Sequence, residues 1–208
     1  MDNIKVVSFD LEGTLVTPDY SQAVWHEGIP SLYAKQYGIN FERAKAIVQK
    51  KYQEVGDQRK EWYDIEYWFC RFGLGDYRDV LDAHRNRLSR YPDASQALSS
   101  LSKRYTLIVA TGTARAFLPY LLDGLENYFV RIFSSISDYG QLKSLKFYAQ
   151  VCQEIGVKPH EMVHVGDSWN FDFIAAKEAG IKVFHLNRAQ KSENGDSLKS
   201  LTEVVTRL

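Results

Sequence analysis

The chain is poor in the features that tie a protein to an oxidising compartment, a membrane or nucleic acid. Cysteine is scarce: Cys70 and Cys152 are the only two in 208 residues, too few for a disulfide framework. Cys152 lies in an apolar helical pattern, where a buried free thiol is expected. Long hydrophobic runs are missing. TLIVAT, from Thr106 to Thr111, is one of the longest, far short of the roughly 20 apolar residues that span a bilayer. No sign of charge is in excess, since 26 Lys and Arg balance 26 Asp and Glu. Nucleic-acid binding depends on clustered positive charge, and the totals give no such footprint. The start MDNIKVV lacks the charged-then-apolar layout of a secretion signal. The expectation is a cytoplasmic protein that engages neither nucleic acid nor a membrane. Oligomeric state has no signature in the sequence.

What is present is ordinary globular material, 45% hydrophobic and 25% charged, in a length that buries a sizeable core. A first strand is predicted at about Lys5 to Phe9. From about Tyr20 to Leu88 the apolar period is helical. FERAKAIVQKKYQEVG aligns Phe41, Ala44, Ile47, Val48 and Tyr52, with Asn40 as N-cap and Gly56 as stop. EWYDIEYWFCRF aligns Trp62, Ile65, Trp68, Phe69 and Phe72, and DYRDVLDAHRNRLSRY aligns Val80, Leu81, His84 and Leu88. After Pro92 the pattern changes to alternating helix and strand. A helix from Ala94 to Lys103, capped by Asp93, precedes strand TLIVAT and helix ARAFLPYLL. Strand VRIFSS, helix SLKFYAQVCQEIG, strand MVHVGD, helix FDFIAAKEAG and strand IKVFHL follow. A solvated loop, Arg188 to Ser197, leads to a final helix at about Leu198 to Arg207. This alternation predicts a parallel sheet covered on both faces. Between Thr17 and Tyr91 lie 14 of the 28 aromatic residues. They suit the core of a small helical bundle, and a few suit a pocket wall.

Open α/β sheets bind ligands at the carboxyl ends of their strands. The first strand delivers Asp10 and Glu12 there. The second delivers Thr111, Gly112 and Thr113. Lys143 lies on the approach to a helix after the third, and the fourth delivers Gly166, Asp167 and Ser168, with Asp172 five residues beyond Asp167. A lone acid at a strand end is usually a turn or capping residue; successive strands ending this way suit phosphoryl transfer. Asp10 and Asp167 would hold Mg²⁺, a hard ion that prefers oxygen ligands. Thr111 and the N–H groups of Gly112 and Thr113 suit phosphate oxygens, Lys143 suits the remaining charge, and Asp10 suits attack on phosphorus.

FDLEGTLV, VATGT, a lysine before a helix and VGDSWNFDFIAAKEAG, in that order and spacing, resemble the haloacid dehalogenase superfamily over essentially the whole chain. The resemblance implies an α/β fold with a Rossmann-like parallel sheet, residues 1–16 and 92–208, interrupted by a helical cap, residues 17–91. It implies a phosphatase of small phosphorylated metabolites. Asp10 would be the nucleophile, and Glu12 the acid and base. Asp10, the Glu12 carbonyl and Asp167 would bind Mg²⁺ with Asp172 in support, while Thr111 and Lys143 would bind phosphate. The chain departs from the pattern at Ser144, where a proline is usual, which leaves Lys146 as a rival to Lys143. It departs also at Glu12, where most phosphatases of the family carry Asp. Glutamate there resembles the enolase-phosphatase branch, and a non-catalytic phosphometabolite binder is a further alternative. Trp25 and His26 are expected near the site. His164 reads as a packed strand residue, and Trp169 as either cleft mouth or sheet edge.

Overall fold

The computed structural model describes residues 3–188 and 197–208. Its sheet comprises β1 (Val6–Phe9), β2 (Thr106–Thr111), β3 (Arg131–Ser134), β4 (Met162–Gly166), β5 (Lys182–Leu186) and β6 (Ser197–Leu198). The spatial order is β3-β2-β1-β4-β5-β6, and every neighbouring pair is parallel. The order runs outward in both directions from β1, so a crevice opens at the carboxyl ends of β1 and its neighbours. Strands β1 and β4 are buried along their whole length, as expected where both faces of a sheet are covered. Side chains alternate between two cores. Val7, Phe9, Val109, Val163 and Val165 join one, and Val6, Ile108, Ala110 and Met162 join the other.

The segment after β1 holds five α-helices: α1 (Asp19–Ala23), α2 (Ile29–Tyr37), α3 (Phe41–Val55), α4 (Ile65–Phe72) and α5 (Tyr77–Ala83). A π-helical turn, Val24–Gly28, joins α1 to α2. Local chemistry sets the limits of the others. Asn40 accepts the Arg43 N–H at 2.9 Å to start α3, which buries Ala44, Val48 and Tyr52 and ends at Gly56. Asp64 accepts the N–H groups of Glu66 and Tyr67 at 3.0 and 3.3 Å to start α4. Gly73, in the left-handed region, ends it. Ile65, Trp68, Phe69 and Phe72 are buried in the same cluster as β1 and β2, so the helical segment and the sheet share one continuous core.

The remaining helices are α6 (Ala94–Leu101), α7 (Leu118–Leu121), α8 (Ser135–Tyr139), α9 (Leu145–Ile155), α10 (Ala175–Glu178) and α11 (Leu201–Arg207). Several differ from the sequence expectations. ARAFLPYLL yields only the four-residue α7, and the first half of FDFIAAKEAG is a π-helical turn, Trp169–Ile174. Ser197–Leu198, expected as loop and helix, forms a sixth strand on β5, too short for periodicity to reveal. Most of the loop expected from Arg188 to Ser197 lies outside the described residues. Asp93 does not cap α6. Its carboxylate holds Arg188 at 3.0 and 3.1 Å and accepts the Leu201 N–H at 2.8 Å, capping α11 across the sequence. Among the described residues no helix is long and apolar enough to cross a membrane.

Candidate active site

Register brings the site together. Phe9 pairs with Val109 on one side and Val165 on the other, and the Asp10 N–H donates to the Val165 carbonyl at 2.9 Å. Asp10 therefore leaves the sheet beside Gly166 and Asp167. A tight turn follows, in which the Leu11 carbonyl accepts the N–H groups of Leu15 and Val16 at 2.8 and 3.0 Å. Two glycines let carboxylates approach the backbone. Gly13 has φ +81°, and a Cβ there would lie 2.2 Å from Asp167 Oδ2. At Gly166 a Cβ would lie 2.2 Å from Asp172 Cγ.

Oxygens of Asp10, Asp167 and Asp172 lie within 4.8 Å of one another. Lys143 Nζ donates to Asp10 Oδ1 at 2.7 Å and also to Asp172 Oδ1. Asp172 is fully buried and fully engaged. Its Oδ1 also meets His164 Nε2 at 3.0 Å and accepts the Tyr148 hydroxyl at 3.3 Å, and its Oδ2 accepts the Ser168 N–H at 2.9 Å. His164 Nδ1 in turn faces Ser8 Oγ at 3.0 Å. Burial pushes the Asp172 carboxyl up, but Lys143 and His164 overcome it and hold the group well below the usual carboxylate range. Asp10 goes the other way: burial and the Asp172 charge raise it, with Lys143 only partly offsetting them. Asp167 reaches solvent on one side, yet desolvation and the charges of Asp10 and Asp172 push it up to about 7. One lysine against three carboxylates leaves negative charge in excess, and the donors are hard oxygens. That set fits a divalent cation such as Mg²⁺.

Glu12 turns into this cleft. Its Oε2 accepts the Thr113 hydroxyl at 2.8 Å. Burial raises the Glu12 carboxyl above its usual range, and the hydroxyls of Ser21 and Thr113 pull it partly back. Thr111, buried at the end of β2, receives the Thr113 N–H on its Oγ1 at 3.2 Å, closing the Thr-Gly-Thr turn on itself. Gly112 stands beside the stem of Lys143, where a Cβ would lie 3.8 Å from Lys143 Cε. The cleft has a volume of about 190 Å³, and Trp25, Tyr63, Phe117, Ser135 and Phe171 complete its walls.

A model of the haloacid dehalogenase-like hydrolases matches residues 4–180. The chain belongs to that family. Among curated relatives, the phosphoglycolate phosphatase of Chromobacterium violaceum is 29% identical over 191 residues, covering 86% of this chain and 83% of its own. The glyceraldehyde 3-phosphate phosphatase of Methanocaldococcus jannaschii is 23% identical over 228 residues, covering 99% and 98%. Among solved structures, a phosphatase of the same family from Thermococcus onnurineus superposes with a TM-score of 0.86 at 24% identity, covering 98% of this chain and 97% of that one. That likeness is one of fold.

The structure of this hydrolase gathers Asp10, Glu12, Thr111, Gly112, Thr113, Lys143, Asp167 and Asp172 on a single cleft. Lys146 lies exposed on α9, whereas Lys143 is 8% exposed and bonded to two carboxylates. Ser144, standing where the family usually has proline, caps α9 by accepting the Phe147 N–H at 3.3 Å. Trp25 lines the cleft and stacks on Phe117 at 5.7 Å; His26 does not line it. His164 is a fully buried strand residue, and Cys152 a buried free thiol. Trp169 stacks on Phe173 at 4.4 Å and meets His185 edge-on, away from the cleft lining. Sequence reasoning missed Ser135 and Tyr63. The Ser135 hydroxyl is buried with no partner and follows β3 directly, so the strand-end rule that found Thr111 had a signal for it. Tyr63 lies in a short 3₁₀ turn, Lys60–Tyr63, where no periodicity marks it.

Proposed function

We propose that this hydrolase is a Mg²⁺-dependent phosphatase of small phosphorylated metabolites, with residues 17–91 acting as a helical cap over the cleft. The observation that carries this reading is the bond from Lys143 to Asp10 in a cleft that Glu12 also enters. Asp10, Asp167 and the Glu12 carbonyl would hold Mg²⁺, with Asp172 behind them. When bound, the metal supplies positive charge that offsets repulsion between a phosphate and the carboxylates.

The side chains then divide the reaction. Lys143 orients Asp10 and partly offsets the cost of its buried charge, and Asp172, anchored by His164 and Tyr148, keeps Lys143 in place. An Asp10 oxygen attacks phosphorus and the ester P–O bond breaks, giving an aspartyl-phosphate. Glu12, whose carboxyl is raised by burial, gives its proton to the departing alkoxide. Its carboxylate then takes a proton from water, which attacks phosphorus. The Asp10–phosphorus bond breaks and phosphate leaves. The unpartnered Ser135 hydroxyl offers a donor to the phosphate oxygens, and Thr111, Gly112 and Thr113 would join it by exchanging the bonds that now close their turn.

The test is phosphate release from a panel of small esters, with Mg²⁺ and with a chelator. The wild type turns over only with the metal. Asp10→Asn loses at least about 10⁴-fold while keeping its circular dichroism. Hydrolysis that survives in Asp10→Asn sinks the reading, as does a wild type inert on every ester.

A further inference from the structure

A second compartment of about 280 Å³ meets the cleft at Glu12, Trp25 and Tyr63, and adds Ser21, His26, Tyr52 and Trp62 to its walls. Its chemistry is that of rings. Tyr52 lies edge-on to Trp25 at 5.9 Å and to Trp62 at 6.1 Å. The Tyr52 hydroxyl is turned to the Trp25 carbonyl at 3.3 Å, so Tyr52 offers the space its ring. Glu12 stands where the two compartments meet, and no Lys or Arg among the described residues lines the second one to pair with an anionic group. His26, at the rim, is held below its ordinary value by burial and by the charge of Lys45. Lys45 itself is outside the lining, its ammonium 5.8 Å from the Phe41 ring centroid.

We infer that this compartment receives the alcohol portion of the substrate, and that this portion is uncharged and apolar, aromatic or branched, rather than a carboxylate. The inference rests on the phosphatase reading and specifies its substrate class. Glu12 is the link: the ester oxygen it protonates must lie beside it, and the group carried by that oxygen then enters among Trp25, Tyr52, Trp62 and Tyr63. A flat ring there makes edge and face contacts with the surrounding rings. Phosphoglycolate, the compound in the name of several relatives, would instead set its carboxylate among the rings with no Lys or Arg in the lining. A buried charge without a partner is strongly disfavoured.

The experiment compares benzyl phosphate with phosphoglycolate, using the whole chain with Mg²⁺. Both esters leave through a primary alkoxide, so intrinsic reactivity does not decide the outcome. Benzyl phosphate is expected to have the higher kcat/KM by about tenfold or more, mainly through KM. Trp62→Ala should remove most of that preference. His26→Arg, on an exposed rim position, should raise kcat/KM for phosphoglycolate while changing benzyl phosphate little. In parallel, calorimetry compares phenylethylphosphonate with carboxyethylphosphonate, which replace the bridging oxygens by methylenes; the phenyl compound should bind more tightly. A preference for phosphoglycolate, or equal losses on both esters in Trp62→Ala, overturns the inference and leaves the phosphatase standing. If no ester is hydrolysed, the phosphatase reading fails, and tighter binding of the carboxyethyl compound overturns the apolar compartment as well.

Discussion

The two sides of the cleft are built from opposite materials. On the sheet side, Asp10, Lys143 and Asp172 are buried, ionisable and bonded to one another, with His164 and Tyr148 behind them. On the helical side, Trp25, Tyr52 and Trp62 meet edge to face, and Tyr63 lines the same space. The polar wall has little freedom, because removing one charge strands another in a desolvated place. The apolar wall has more, since a ring can be exchanged for another at the cost of packing alone. A division of labour follows: the rigid charged wall suits chemistry common to many substrates, and the adaptable one suits selection among them. Glu12 stands at the seam, reached from the sheet side by Thr113 and from the helical side by the aromatic compartment.

Lys143→Met tests the polar wall hardest. It leaves the Asp172 carboxylate buried without its cation, and the loss should be about 3–5 kcal/mol of stability as well as nearly all activity. Denaturant midpoints read the first and phosphate release the second; a variant as stable as wild type would show that the wall is not an interdependent unit. At the seam, Glu12→Gln should lower turnover by about 10²–10⁴-fold with little change in stability, measured by steady-state kinetics beside a thermal melt. Wild-type turnover in that variant would return Glu12 to the status of a loop acid.

The smallest effect is a pH dependence of the chelated protein. Asp167 is raised in the folded state to about 7 from an ordinary 3.8, and burial raises Asp10 and Glu12 too. An acid with a raised folded value binds its proton more tightly when folded. Stability should therefore fall as pH rises from about 4 through about 7, and Mg²⁺ should remove part of that slope. Melting temperatures across that range, with and without metal, check the sign. A slope that metal leaves untouched would separate these carboxylates from metal binding.

The polar wall was also the legible one. Several of its residues sit at the ends of strands whose apolar runs and glycine turns are marked in the local sequence. Asp10, Thr111 and Asp167 thus follow from strand positions and the order of elements. The helices declared themselves through Asn40 and the buried faces of α3 and α4. What local sequence did not carry is long-range. Asp93 looked like the cap of its own helix, yet its carboxylate serves Leu201 and Arg188, partners about a hundred residues away. The two-residue β6 exists only because β5 offers an edge. Tyr63 reaches the cleft from a single 3₁₀ turn, and the aromatic compartment is assembled from three separate stretches of helical segment.

The stacking of Trp25 on Phe117 bears on how the cleft breathes. Phe117 precedes α7 on the sheet side and also meets Tyr20 edge-on at 6.1 Å, so it is gripped twice by the segment across from it. Swinging that segment away must unstack at least one of these pairs. At about 0.5–1.5 kcal/mol for an aromatic pair, each contact biases the shut arrangement by up to roughly tenfold. Phe117 thereby acts as a latch rather than a hinge: its two ring contacts are what opening the cleft there would have to break.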